Sequence, residues 1–294
     1  MQPEKHSSSV PTVPVAILTT IAAGLCLSLM DSIGKHLAEG LNVVEAVWAR
    51  YAGHTVAITL YLLRHSGLSF LHTRRPGLQF ARAATLFAAT LLMYTSLTYV
   101  PLADATAIQF LAPVLVTLWS ALFLGERIGI HRILAVLAGF IGVVIIVAPG
   151  ISLDTPALLL PLGVAFAVSF YFILTRMLAY PEEQDFTQFA TTALGALVLS
   201  CALPFVWETP GLTDVALMCA IGMVGALGHF LLITAFSMAS ASLLSPYLYS
   251  QVFGSALISV TWFGDPLSPT MLAGTSLLVG SGLYIWWREN RRAL

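Results

Sequence analysis

Apolar runs follow one another along this chain with hardly any sequence between them, and nothing else limits its fold so tightly. Ten can be drawn, at about residues 14–37, 43–63, 78–100, 102–124, 130–148, 156–178, 185–207, 212–236, 240–263 and 267–287. Each is close to the roughly 20 residues an α-helix needs to cross a bilayer core. Val100-Pro101 parts the third run from the fourth, Pro149-Gly150 closes the fifth, and Pro181 lies just beyond the sixth. Proline cannot continue a helix, so these places read as turns too short to hold a soluble domain. A β-barrel is excluded, because its strands would alternate in polarity over about ten residues. Only 9% of the 294 residues are charged and 58% are hydrophobic, whereas a soluble domain carries roughly 25% charged residues. The expected fold is an all-α polytopic membrane protein with ten transmembrane helices.

Several function classes drop out at once. The net charge is −1 and no basic cluster occurs, so no nucleic-acid partner is expected. Cys26, Cys201 and Cys219 lie inside apolar runs without metal-ligand spacing and read as small packing residues, leaving no metal and no cofactor to expect. The polar start, MQPEKHSSSVPTVP, superficially resembles a signal peptide, but no small-residue cleavage site follows the first run and the topology needs that run as a helix. There is no His-Glu-x-x-His helix, no convincing Gly-x-Ser-x-Gly elbow and no phosphate-binding P-loop. An enzyme is therefore not expected. An intramembrane lipid-modifying enzyme or a lipid flippase is the alternative to a solute carrier.

Orientation follows from the distribution of positive charge, which favours the cytoplasmic side. With the N-terminus inside, the inner segments and helix ends hold Lys5, Arg64, Arg74, Arg75, Arg82, Arg127, Arg132, Arg176, Arg288, Arg291 and Arg292, which is 11 of the 13 basic residues. Asp104, Asp154, Glu208, Asp214 and Asp265 fall outside. Both termini are then cytoplasmic. The stretch Leu102–Arg132, an apolar run ending in the turn Gly125-Glu126-Arg127, has a looser copy from Leu244 through Gly264-Asp265 to Pro269. If residues 1–150 and 151–294 are copies of five helices each, a half makes an odd number of crossings, and the second must be inverted relative to the first.

The fourth run, Phe110-Leu111-Ala112-Pro113-Val114 continuing to Leu124-Gly125-Glu126, together with ten spans in two halves, resembles the drug/metabolite transporter superfamily and specifically its EamA branch. The ninth run departs from that pattern, with Val252 where a proline would align and Asp265 in place of glutamate. The resemblance implies a carrier in a bacterial inner membrane. The abundance of Tyr, Phe and Trp looks closest to bacterial exporters of amino acids, including aromatic ones. Its partners would be a small amphipathic solute and membrane lipid, in a monomer or a homodimer.

In an inverted-repeat carrier the site is expected near the midplane, where polar and aromatic residues interrupt apolar helices. Tyr94, Tyr99, Gln109, Phe110, Tyr171, His229, Tyr247, Tyr249 and Gln251 are such residues. Gln109 and Gln251 occupy repeat-related positions and read either as substrate contacts or as hydrogen-bonding glue between helices. Pro113 should free the carbonyl of Gln109, Pro246 that of Ser242, and Gly254 offers a further weak point, so these three are candidate bending positions. Asp31 and Lys35 share a helix face, and Glu45, Arg50 and His54 lie in the outer half of the second run. Asp31, Lys35 and Arg50 read as a gate or vestibule, or else as a static pair with Lys35 reaching for the interface. Small residues at i,i+4, among them Ala138 with Gly142, read as packing ridges.

Overall fold

The computed structural model describes residues 12–124, 129–147, 157, 159–178, 184–238 and 244–293. Among these residues the chain is helical and contains no strand. The helices are α1 (Thr12–Gly40), α2 (Val43–His65), α3 (Pro76–Leu97), α4 (Leu102–Gln109), α5 (Ala112–Leu124), α6 (Ile130–Val147), α7 (Leu159–Met177), α8 (Gln184–Ala202), α9 (Leu212–Met238), α10 (Ser250–Thr261) and α11 (Pro269–Ala293). Short 3-10 turns occur at Gly67–Leu71, Leu203–Phe205 and Ser245–Tyr249. The Gly125-Glu126-Arg127 turn, Pro149-Gly150 and Pro181 lie outside the described residues.

Local chemistry sets the ends of these helices. Asn42 caps α2, its side-chain oxygen accepting from the Val44 N–H at 2.9 Å, which satisfies one of the donors that a helix start leaves free. At the other end the Ser66 N–H donates to the Leu62 carbonyl, and Gly67 follows at φ +57°, where a side chain would be strained. Pro76 opens α3 in the first turn, where its missing N–H costs nothing.

The fourth apolar run, expected as one helix, is two. α4 ends at Gln109, Phe110 and Leu111 form a turn, and α5 begins at Ala112. The Leu111 N–H donates to the Ile108 carbonyl at 3.0 Å, a bond one residue tighter than an α-helix makes. Pro113 accounts for the break, because it cannot donate to Gln109 and its ring crowds that carbonyl. The ninth run is likewise irregular, since within its described residues a 3-10 turn with Pro246 in its first turn precedes α10.

Four helical stretches are long and apolar enough by themselves to cross a membrane: Val13–Gly40, Pro76–Leu97, Asp185–Phe205 and Leu212–Leu232. Leu102–Val116, Ile133–Ile146 and Leu159–Thr175 are apolar but shorter. Leu18, Ile141, Val144, Leu197 and Met223 are exposed on the outside of the bundle, giving it a surface suited to lipid rather than water.

The helix pairings follow a pattern. α1 packs on α9 and α10, α2 on α8 and α9, α3 on α7 and α8, α4 and α5 on α7, and α6 on α11. Match the first five runs in order with the second five. The α1–α9 contact then exchanges into α7–α3, α1–α10 into α7 with α4 and α5, and α2–α9 into α8–α3. The α2–α8 and α6–α11 contacts map onto themselves. Two glycine contacts bring backbones unusually close. A Cβ on Gly53 would stand 2.9 Å from the Cα of Gly222 where α2 crosses α9, and one on Gly142 would stand 2.7 Å from the carbonyl oxygen of Gly274 where α6 meets α11. The buried core has two parts, one around Met30, Tyr51, Tyr94 and Leu102, the other around Ile108, Phe110, Leu111 and Leu278.

Candidate functional site

An apolar helix satisfies its own backbone but not the polar side chains it carries, so those must find one another or water. Midway along the bundle α2, α3, α8 and α9 bring such side chains together. α3 contributes Arg82. Counted from Pro76 it lies six residues into the helix, about 9 Å along its axis. Arg82, read among the inner segments and helix ends, is 6% exposed and enclosed by α7 and α8. Its Nε donates to Thr175 at 2.7 Å, Nη1 to Thr191 at 2.5 Å and to the Thr187 carbonyl at 3.3 Å, and Nη2 to the Tyr171 hydroxyl at 2.6 Å. Its guanidinium carbon also lies 4.4 Å from the centre of the Tyr171 ring. All these acceptors are neutral, so Arg82 is well hydrogen-bonded but not paired.

Arg50 differs. Its Nη1 reaches Thr90 at 3.5 Å, the outer limit of a hydrogen bond, and its guanidinium carbon lies 5.6 and 5.8 Å from the ring centres of Tyr94 and Tyr51. The Tyr51 hydroxyl and Thr90 hydroxyl are 3.0 Å apart. Among the described residues no carboxylate comes within ion-pair distance of either arginine. Arg50, Tyr51 and His54 of α2 line a narrow polar cavity, with room for about one water molecule, together with Leu86 of α3, Thr191 and Thr192 of α8 and His229 of α9. The His54 and His229 rings face each other with centres 5.3 Å apart.

A second polar contact joins α1 to α10. Asp31 is 4% exposed and accepts from Gln251 Nε2 at 3.2 Å. Asp31 and Lys35 do not pair with each other, which corrects the reading of them as one static pair. Lys35 Nζ instead donates to Asp265 Oδ2 at 2.8 Å, lies 4.0 Å from Glu39, and stands 4.2 Å above the centre of the Phe263 ring. The reason is axial: one helical turn carries Lys35 to the end of the bundle where the α10–α11 connection lies. Asp265 also accepts from Ser259 at 3.3 Å, so this link ties α1 to that connection. At the same end Glu45 is buried and accepts from the Glu208 N–H.

The structure distributes the remaining candidates. Phe110 and Tyr249 meet across the two irregular runs, ring centres 5.3 Å apart. Tyr94 is fully buried, its hydroxyl against Gly34, where a Cβ would lie 2.5 Å away. Tyr247 and Gln109 are half-buried, and the Gln109 side chain makes no hydrogen bond to another described residue. It therefore does not mirror Gln251. Tyr99 is 68% exposed in the turn after α3, apart from the cavity, because α3 ends three residues earlier than its apolar run suggests. Pro113 is exposed on α5. Gly254 is not a bend, since α10 runs unbroken through it; a Cβ there would lie 3.1 Å from Leu25 Cδ2 and would run into the Ser28 hydroxyl. Sequence reasoning overlooked Tyr51, Arg82 and Thr191. Pro76 carried the one available signal, since it fixes where α3 starts and hence how deep Arg82 lies.

Comparison with known proteins places this architecture. The profile of the EamA-like transporter family matches residues 14–148. The S-adenosylmethionine uptake transporter of Rickettsia bellii is 26% identical over 264 residues, covering 90% of both chains. The riboflavin transporter of Vibrio cholerae is 26% identical over 281 residues, covering 94% of both. The pseudopaline exporter of Pseudomonas aeruginosa is 29% identical over 272 residues, covering 90% of this chain and 93% of that one. One protein crystal structure is similar in fold, with a TM-score of 0.64 at 21% identity over 94% of this chain and 97% of its own.

Proposed function

We propose that the chain, whose residues 14–148 match the EamA-like transporter family and which is similar along most of its length to bacterial transporters, carries a small organic solute across a bacterial inner membrane by alternating access. The observation that supports this best is the polar cavity midway along the bundle, built from α2 and α3 on one side and α8 and α9 on the other. Polar groups at that depth are costly in a membrane unless hydrated or bound, and a carrier has a use for them.

In this reading the two five-helix halves are inverted copies, with ten crossings and both termini in the cytoplasm, and the exchange of helix pairings between halves is what supports it. Rocking of the halves would expose the cavity to each side in turn. The Lys35–Asp265 contact would close one end, and the broken α4–α5 run would give one half a place to flex. Tyr171, His229 and Arg50 are the cargo contacts we favour, with Phe110, Tyr249 and Gln251 facing the path from the other side. The expectation of amino-acid export is revised to the coarser class of organic solutes, because the relatives are named for S-adenosylmethionine, riboflavin and pseudopaline. Those names include both uptake and export, so direction is left to the gradient across the membrane. A lipid-modifying enzyme draws no support from them.

The test is uptake into liposomes holding the purified protein, with labelled S-adenosylmethionine, riboflavin and a set of amino acids. Saturable flux of at least one solute, competed by its unlabelled form, is the expected result. Flux equal to that of empty liposomes for every compound would sink the carrier reading.

A further inference from the structure

The α2–α8 contact maps onto itself when the two halves are exchanged, and its two ends are built alike. At one end Glu45, in the first turn of α2, accepts from the Glu208 N–H in the connection after α8. At the other end Asp185, in the first turn of α8, accepts at 2.5 Å from the Ser66 hydroxyl in the connection after α2. Each acid is followed on its own helix, three or four residues later, by an aromatic ring that meets a ring of the same connection. Trp48 stands edge-on to Trp207 with ring centres 6.3 Å apart, and Phe189 stands tilted against Phe70 at 5.2 Å. Positions three and four apart share a helix face, so acid and ring grip one connection together.

Further bonds fasten each end. Trp48 Nε1 donates to Ser200 at 2.9 Å beside Glu45, and Gln79 Nε2 donates to Thr187 at 2.6 Å beside Asp185. Glu45 and Ser66 mark the two ends of α2, about 32 Å apart along its axis, which is close to the thickness of a bilayer core. Arg50, Tyr51 and His54 of the polar cavity lie between them. A hydrogen bond to a carboxylate is about twice as strong as a neutral one, so each acid holds its connection firmly while the contact lasts. Neither contact is a permanent seal. The second oxygen of buried Glu45 has no hydrogen-bond partner among the described residues, and water admitted by opening would satisfy it. Asp185 is half-buried, so it too is hydrated when released.

We propose that these contacts are two opposed latches of the transport cycle: release of Glu45 from the α8–α9 connection opens one face, and release of Asp185 from the α2–α3 connection opens the other. The proposal rests on the carrier reading and says what sets its balance. Exchange of the halves turns one latch into the other, so the same kind of contact serves both faces. Both contacts are made in the structure. The populations of the two open forms then follow the difference between the latches. Weakening one alone favours the form it restrains, and weakening both restores the balance.

The experiment places a reporter thiol on the cavity wall of the full chain, Thr192→Cys, and adds a charged, membrane-impermeant methanethiosulfonate to spheroplasts for one face and to inverted membrane vesicles for the other. Labelling is read as the increment over the same chain without the reporter. Glu45→Ala should raise labelling from the face nearer Glu45, relative to the other face, about fivefold or more, and Asp185→Ala should shift that ratio the opposite way. Glu45→Gln and Asp185→Asn keep an acceptor without the charge and should fall between. The double alanine variant should return the ratio towards that of the unaltered protein, whereas a merely weakened helix start would raise labelling from both faces or from neither. Should an alanine variant fail to fold, Trp207→Leu and Ser66→Ala loosen the same contacts from the connections and must give the same opposed shifts. Flux of labelled S-adenosylmethionine, riboflavin and amino acids into liposomes is measured in parallel. Saturable flux of one solute with no opposed shift in labelling would overturn the latches and leave the carrier reading standing. No opposed shift and no saturable flux would overturn both.

Discussion

Two arginines on neighbouring helices show how position decides the meaning of a charge. Arg82 is enclosed by threonine and tyrosine hydroxyls and a backbone carbonyl, so its removal leaves several buried polar atoms without a partner. Arg82→Leu is expected to destabilise the protein by about 2–4 kcal/mol, read as a lower melting temperature in detergent. Arg82→Lys should fall between, having three donors on a point charge in place of a fork. A melting temperature unchanged by Arg82→Leu would mean that the network contributes nothing. Residues that interrupt an apolar run, such as Arg50, Tyr94, Tyr171 and His229, could be picked out from the sequence because lipid tolerates them poorly. Arg82 could not, because a charge near the start of a run looks the same whether it lies at the interface or six residues inside it.

At the scale of elements, the interrupted fourth and ninth runs set this bundle apart from one of plain helices. Broken backbone at membrane depth persists only where protein satisfies it, and the Phe110–Tyr249 contact packs the two irregular segments together. Pro113→Ala would restore an N–H that can donate to the Gln109 carbonyl and join α4 to α5. The expected outcome is a higher melting temperature with slower transport. Transport at the unaltered rate would show that the break plays no part in the cycle. Sequence located this break, because proline has one mechanism for disrupting a helix. Gly254 misled, since a glycine within a helix serves either a bend or a close approach, and the presence of Ser28 across the contact decides between them.

At the scale of the whole molecule, the exchange of helix pairings between halves supports ten crossings with both ends of the chain on one side. Peptide tags on the two termini should both resist an impermeant protease in intact spheroplasts and both be cut once the membrane is opened. A tag cut from outside at one end alone would require an odd number of crossings. The sequence by itself determined the helical class, the apolar runs and the pattern of charge, because a chain with 9% charged residues has few ways to satisfy its backbone except in helices within lipid. It could not determine partners. Lys35 lies four residues from Asp31 yet bonds Asp265, 230 positions away, and Arg82 meets Thr175 and Thr191 from two helices of the other half. Only the tertiary structure decided those contacts, because periodicity fixes which face a side chain lies on and packing alone fixes which helix that face meets.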